Sequence, residues 1–157
     1  MTNSELVVRV LIEGALGAFA LVVIAFLLSR FAREVCGRSL LVIFLFMAAG
    51  AYFGFALLAR DLLGTAPIWI LVEILQVIAF GTMGLLGWRG SPWWLALGWA
   101  LHPAWDFVLH YVGPGRSFAP WTYAVACISF DWLVAAYVAV AYGLIGARRL
   151  GFRNAAS

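Results

Sequence analysis

Apolar residues run almost without interruption along this chain, and polar residues gather in a few short clusters. Five apolar stretches are each long enough for a membrane-crossing helix, which takes about 20 residues. They cover roughly residues 5–29, 39–58, 67–88, 92–112 and 121–146. Short polar segments separate them: Arg30 to Arg38, Arg60 to Ala66, Arg89 to Ser91 and Gly113 to Pro120. Pro67 and Pro92 suit first helical turns, where a missing N–H is tolerated, and the Gly113-Pro114-Gly115 run ends the fourth stretch. The pattern predicts an all-α fold, a polytopic membrane protein with a five-transmembrane-helix bundle as the single domain of residues 1–157. Gly50-x-x-x-Gly54 and the run Gly81, Gly84, Gly87 predict close helix contacts.

Composition removes the soluble alternative. The chain is 66% hydrophobic, 11% charged and has a mean hydropathy of +1.03. A soluble domain of 157 residues has no interior large enough to hide that much apolar surface. The location implied is the cell membrane, multi-pass, with membrane lipids as surroundings. The net charge of +3 does not indicate nucleic acid, because the ten basic residues are all Arg and form no basic stripe. Glu5, Arg9 and Glu13 interrupt the first stretch where a secretory signal would be apolar. Cys36 and Cys127 form no disulfide framework, and Cys127 reads as a small buried apolar residue.

Arginine placement orients the bundle. Arg30, Arg33, Arg38, Arg89, Arg148, Arg149 and Arg153 fall on one side; Arg9, Arg60 and Arg116 fall on the other. The positive-inside rule then predicts the N-terminus outside and the C-terminus cytoplasmic. Trp88, Trp93 and Trp94 suit the inner interface, and Trp69 and Trp121 the outer one.

The remaining polar residues agree in depth. A rise of about 1.5 Å per residue places His102 about 15 Å into the fourth stretch and Asp131 about 15 Å into the fifth, entered from the opposite side. Glu73, Gln76 and Glu13 lie about 9–13 Å below the outer surface. Asp106 follows His102 by one turn, and His110 approaches the rim. Glu13, Glu73, Gln76, His102, Asp106 and Asp131 thus come from four helices and share the outer half of the bilayer, while the second stretch adds almost nothing polar. Intramembrane ionisable residues are expensive and usually functional. The expectation is one polar cavity open to the outer side, with Trp99 and Trp105 as an apolar wall.

Acids and imidazoles held together suit proton transfer near neutral pH. His102 and Asp106 are candidate proton-exchanging groups. Asp131 and Glu73 would orient the imidazole or act as a second acid, while Trp99, Trp105, Gln76, His110 and Glu13 would contact the ligand. No cofactor is required. A divalent metal held by His102, Asp106, Asp131 and Glu73 is geometrically feasible, whereas His102 and His110, about 12 Å apart on a straight helix, cannot share one ion.

The stretch Gly98-Trp99-Ala100-Leu101-His102-Pro103-Ala104-Trp105-Asp106, followed by His110, resembles the signature of a group of uncharacterised bacterial integral membrane proteins, a domain of unknown function. Phe118-Ala119-Pro120, Cys127 and Asp131 resemble its next block, so the likeness covers about residues 95–140. It implies a bacterial inner membrane protein and carries no activity. The architecture is also similar to that of five-span sterol isomerases of the emopamil-binding type, an analogy of fold rather than of motif. The leading expectation is a membrane-embedded enzyme acting on a lipid or isoprenoid, an isomerase, cyclase or hydrolase using general acid–base chemistry. Proton or cation transport, or a structural subunit without catalysis, would use the same residues differently. A small apolar ligand and a homo-oligomer are compatible with the sequence.

Overall fold

The computed structural model describes residues 3–63 and 67–145. The described chain is helical throughout, without strands. Helix α1 spans Asn3–Leu27 and runs into a π-helical turn, Leu28–Ala32; α2 spans Glu34–Leu63 and α3 Pro67–Arg89. Helix α4 is α-helical over Pro92–Asp106 and π-helical over Phe107–Val112, and α5, Trp121–Val138, ends in a π-helical stretch, Ala139–Leu144. Four helical segments are long and apolar enough to cross a membrane: Asn3–Ala32, Glu34–Arg60, Pro67–Arg89 and Trp121–Leu144.

Both expected boundaries of the second stretch move: α2 begins before it and runs on through Leu63, so Arg60, expected in a loop, is helical. The polar segment at residues 30–38 is mostly helix, broken at Arg33, whose backbone is extended. Glu34 and Arg38 are one turn apart and form an ion pair at 2.7 Å, which carries α2 further toward the N-terminus than its apolar stretch reaches. The fourth stretch is helical over its expected length, but only its first 15 residues are α-helix. The expected loop residues 64–66 and the arginines Arg148, Arg149 and Arg153 lie outside the described residues.

Each helix buries one narrow face at three- and four-residue spacing: Val10, Gly14, Ala18, Leu21 and Ala25 on α1, for example, and Leu41, Leu45, Ala49, Tyr52, Ala56 and Ala59 on α2. The other faces carry large exposed apolar residues, among them Leu16, Phe19, Ile78 and Val108. A surface of that kind suits hydrocarbon rather than water.

Small residues set the close approaches. A Cβ on Gly14 would collide with the Ala126 carbonyl and the Ser129 hydroxyl of α5. Ser129 Oγ in turn donates to the Leu11 carbonyl at 2.7 Å, so α1 and α5 meet almost backbone to backbone. Gly81 faces the Phe46 ring and Gly87 faces Leu95, as the glycine run on the third stretch predicts. Gly50 and Gly54 do not make the expected contact: a Cβ on either would meet nothing. They lie off the face carrying Ala49, Tyr52 and Ala56, because that face, with larger residues, is the one α2 turns inward.

The buried apolar residues form two clusters. The larger one joins Leu21, Leu41, Leu45, Phe80, Leu95, Trp99, Val134 and Val138, with Tyr142 toward the Arg38 end of the bundle. The smaller one joins Tyr52, Ala56, Ala59, Phe118 and Ala119, beneath the segment that links α4 to α5. On α2, α3, α4 and α5 the chain passes from one cluster to the other through the same narrow zone. The buried polar residues occupy that zone.

Candidate functional site

The polar layer between the clusters holds Glu73, Gln76, His102, Asp106, His110 and Asp131, all buried. Glu73 and Gln76 come from α3, His102 and Asp106 from α4, and Asp131 from α5. His110 sits in the π-helical turn that continues α4. Periodicity explains most of this. His102 and Asp106 are four residues apart on one helix face, as are Cys127 and Asp131, and Glu73, Gln76 and Phe80 follow at steps of three and four.

His102 is the centre of the layer. Its Nδ1 lies 2.8 Å from Asp131 Oδ2, a hydrogen bond across the α4–α5 interface, and 3.3 Å from Asp106 Oδ2. Phe80 packs edge-on against the imidazole, with ring centroids 5.0 Å apart. Asp106 is flanked by the Cys127 thiol and the Tyr52 hydroxyl, yet neither of its oxygens has a well-formed hydrogen bond. Nε2 of His102 and Oδ1 of Asp131 are likewise without one. Ligating atoms of His102, Asp106, Cys127 and Asp131 all lie within 4.8 Å of one another.

A second pair stands beside the first. His110 Nε2 lies 3.5 Å from Glu73 Oε1, with both side chains fully buried. Tyr52 stacks flat on His110, with centroids 3.8 Å apart, and its centroid is 6.1 Å from that of His102. Phe118 meets His110 edge-on at 5.6 Å. Gly115 lies so close that a Cβ there would collide with His110 Nδ1. The Gly113–Pro120 segment, with its 3-10 turn Pro114–Ser117, therefore folds back over the layer and closes it.

Several expectations change here. His110 is not at a wet rim; the overlying Gly113–Pro120 segment, with Gly115 against the imidazole, buries it. Glu73 partners His110 rather than His102 Nδ1, and Cys127 takes the place expected of Glu73 in the four-residue group. Glu13 is outside the layer altogether. It pairs with Arg9 at 2.8 Å, and both side chains are more than half exposed. Its helix turns Val10 and Gly14 inward instead, because only a glycine admits the close approach of α5. Gln76 is buried one turn from Glu73, with its amide unpartnered. Trp99 is fully buried in the larger apolar cluster, 5.9 Å from Phe130 ring to ring, and Trp105 is half-buried.

Tyr52 is the residue that sequence reasoning missed. In an apolar helix a tyrosine reads as packing. Only its spacing from Leu45, Ala49 and Ala56, which marks the buried face of α2, could have singled it out.

Two apolar grooves flank the layer. One, of about 370 Å³, is lined by Phe44, Met47, Ala51 and Phe130 and also by Cys127 and Asp131. The other, of about 400 Å³ between α3 and α4, passes Leu75, Leu101 and Trp105 and reaches Gln76 and Phe80. Both fall within the range of ligand sites, about 300–1,000 Å³.

No curated protein and no solved structure matches the chain. A family of unknown function, DUF6010, matches residues 13–148, a span that runs from within the first helix through the second and on past the His102 region. The chain therefore belongs to that family of unknown function.

Proposed function

We propose that this protein is a membrane-embedded enzyme that acts on a lipid or isoprenoid by acid–base chemistry at His102, Asp106 and Asp131. The observation that carries the reading is that an apolar groove of about 370 Å³ is lined by Asp131 and Cys127, which are grouped with the buried His102 and Asp106. A hydrocarbon chain lying in that groove would bring its polar end or double bond against Asp131 and Cys127. Asp131 holds the imidazole by Nδ1, which leaves Nε2 as the nitrogen free to exchange a proton. Asp106, without a well-formed hydrogen bond, is the second exchanging group. The His110–Glu73 pair stands beside them as a second acid–base couple, within reach of Tyr52. Isomerisation, cyclisation and hydrolysis all need a proton taken at one atom and given at another, and two such couples in one water-poor layer suit that demand.

In this reading all five helices cross the cell membrane, with α4 spanning by its π-helical continuation. The N-terminus lies outside and the Arg-rich C-terminal end in the cytoplasm. The substrate reaches the layer sideways from the lipid. The larger apolar cluster fills the interior between the layer and the Arg38 end. That supports an enzyme over a transporter, which needs a polar route to both faces.

The test is mass spectrometry of lipids copurifying with wild type and with His102→Ala and Asp131→Asn. The expected result is one lipid class enriched on wild type, with its proportions to a chemically related product altered in the variants. A lipid content matching the bulk membrane in all three proteins would overturn the proposal.

A further inference from the structure

We infer that the group His102, Asp106, Cys127 and Asp131 is a binding site for a divalent transition metal of the zinc class. The inference concerns residues that the proposed function also uses, but the site is located by their geometry alone; with an ion bound, Asp106 and Asp131 would serve as its ligands rather than exchange protons. The four donors come as two matched pairs. Helix α4 offers a histidine and an aspartate four residues apart, and α5 offers a cysteine and an aspartate four residues apart. Each pair lies on one face of its helix, and the two faces meet. This is how helical bundles build metal sites, from inward side chains on facing helices.

The distances fit. Two ligands on one zinc ion, bound at 2.0–2.3 Å each, stand about 3.3–3.8 Å apart in a tetrahedron. The four ligating atoms here are within 4.8 Å of one another, and His102 Nδ1 is 2.8 and 3.3 Å from the two carboxylates. Small side-chain movements, drawing the more distant atoms in and opening the 2.8 Å Nδ1–Oδ2 pair to about 3.3 Å, would set all four around one centre.

The charge count points the same way. Two carboxylates and a thiol face one imidazole. The ion pairs formed by arginine among the described residues, Arg9–Glu13 and Arg38–Glu34, are elsewhere. Both oxygens of Asp106 and one of Asp131 are buried without a hydrogen bond. Uncompensated buried carboxylates are costly, and a bound cation removes that cost. Imidazole and thiolate together select zinc, iron or cobalt over magnesium or calcium, which prefer oxygen donors alone. The ion would take the place of the proton that Nδ1 shares with Asp131.

The test uses full-length protein purified in detergent, stripped with a chelator and titrated with zinc or with cobalt as its coloured substitute. Wild type is expected to bind about one ion per chain and, with cobalt, to show the near-ultraviolet absorption of a thiolate–metal bond. Cys127→Ser should abolish that absorption, and Asp106→Asn, which removes a direct ligand, should weaken binding by at least the roughly 10-fold that loss of even an outer partner costs. Glu73→Gln should bind like wild type, because Glu73 belongs to the His110 pair. Size-exclusion profiles and helical circular dichroism report the folding of each variant. If Asp106→Asn does not fold, the Cys127→Ser spectrum decides alone. No saturable ion on wild type, or an unchanged cobalt spectrum in Cys127→Ser, would overturn the inference. These readouts need no substrate, so a metal-free result leaves the lipid proposal standing, and a failed lipid search leaves this one standing.

Discussion

The His102–Asp131 contact offers the sharpest energetic test. Nδ1 and Oδ2 are 2.8 Å apart, both side chains are essentially unexposed, and the bond ties α4 to α5. A hydrogen bond to a charged group contributes about 1.5–3 kcal/mol. Ordinary interhelical hydrogen bonds in a membrane protein average about 0.6 kcal/mol by double-mutant cycle, because the membrane-embedded unfolded state finds other partners. The pair is therefore expected to couple at about 1.5–3 kcal/mol, well above that average. The cycle comprises wild type, His102→Gln, Asp131→Asn and the double variant, unfolded reversibly by SDS titration in mixed micelles with a chelator present. Circular dichroism and the summed fluorescence of the eight tryptophans follow the transition. A parallel cycle with Asp106→Asn should give the smaller coupling, since its oxygen is 3.3 Å away and forms no hydrogen bond. Coupling for Asp131 at or below the membrane average, or below that for Asp106, would refute the assignment of Asp131 as the partner that holds the imidazole.

Tyr52→Phe keeps the ring stacked on His110 and should leave stability within about 1 kcal/mol, whereas Tyr52→Ala empties a fully buried site and should cost about 3–5 kcal/mol; if the two variants melt alike, the stack is not structural. Gly115→Val puts side-chain atoms where His110 lies, so the closing segment must move, at a cost of about 1–3 kcal/mol. Faster proteolysis at Gly113–Pro120 would report the movement, and an unchanged digest would contradict the packing. Glu13→Gln removes one partner of an exposed ion pair and should change stability by no more than about 1 kcal/mol and leave the copurifying lipid unaltered. A loss of that lipid would return Glu13 to the binding site.

Much of the polar layer is legible in the amino-acid sequence. His102 and Asp106 share a face because helical geometry requires it, and counting residues inward from opposite ends puts Asp131 level with His102. The 2.8 Å bond between them agrees with that count. Glu73, Gln76 and Phe80 follow helical spacing onto one face, and all three are buried. The count fails where a connecting segment covers the helix or the helix's rotation is unknown. A uniform 100° step already sets His110 on the inward face, within about 80° of His102; what it does not contain is the Gly113–Pro120 segment that folds over the rim, with Gly115 against the imidazole, and buries it.

Sequence alone determined that the chain is helical, that it contains stretches long and apolar enough to cross a membrane, and that His102 and Asp131 sit at the same depth along their helices. These follow from composition and from a fixed rise per residue. The tertiary structure decided which of the polar residues meet. A helix in lipid is apolar on its outer face as well as its inner one, so hydrophobic periodicity does not say which way it turns. That choice fell to side-chain volume. Gly14 lets α1 press on α5 and leaves Glu13 outside, the inward face of α2 delivers Tyr52, and Gly115 lets the closing segment settle on His110. The same rotations set Cys127, rather than Glu73, beside His102 and its two aspartates.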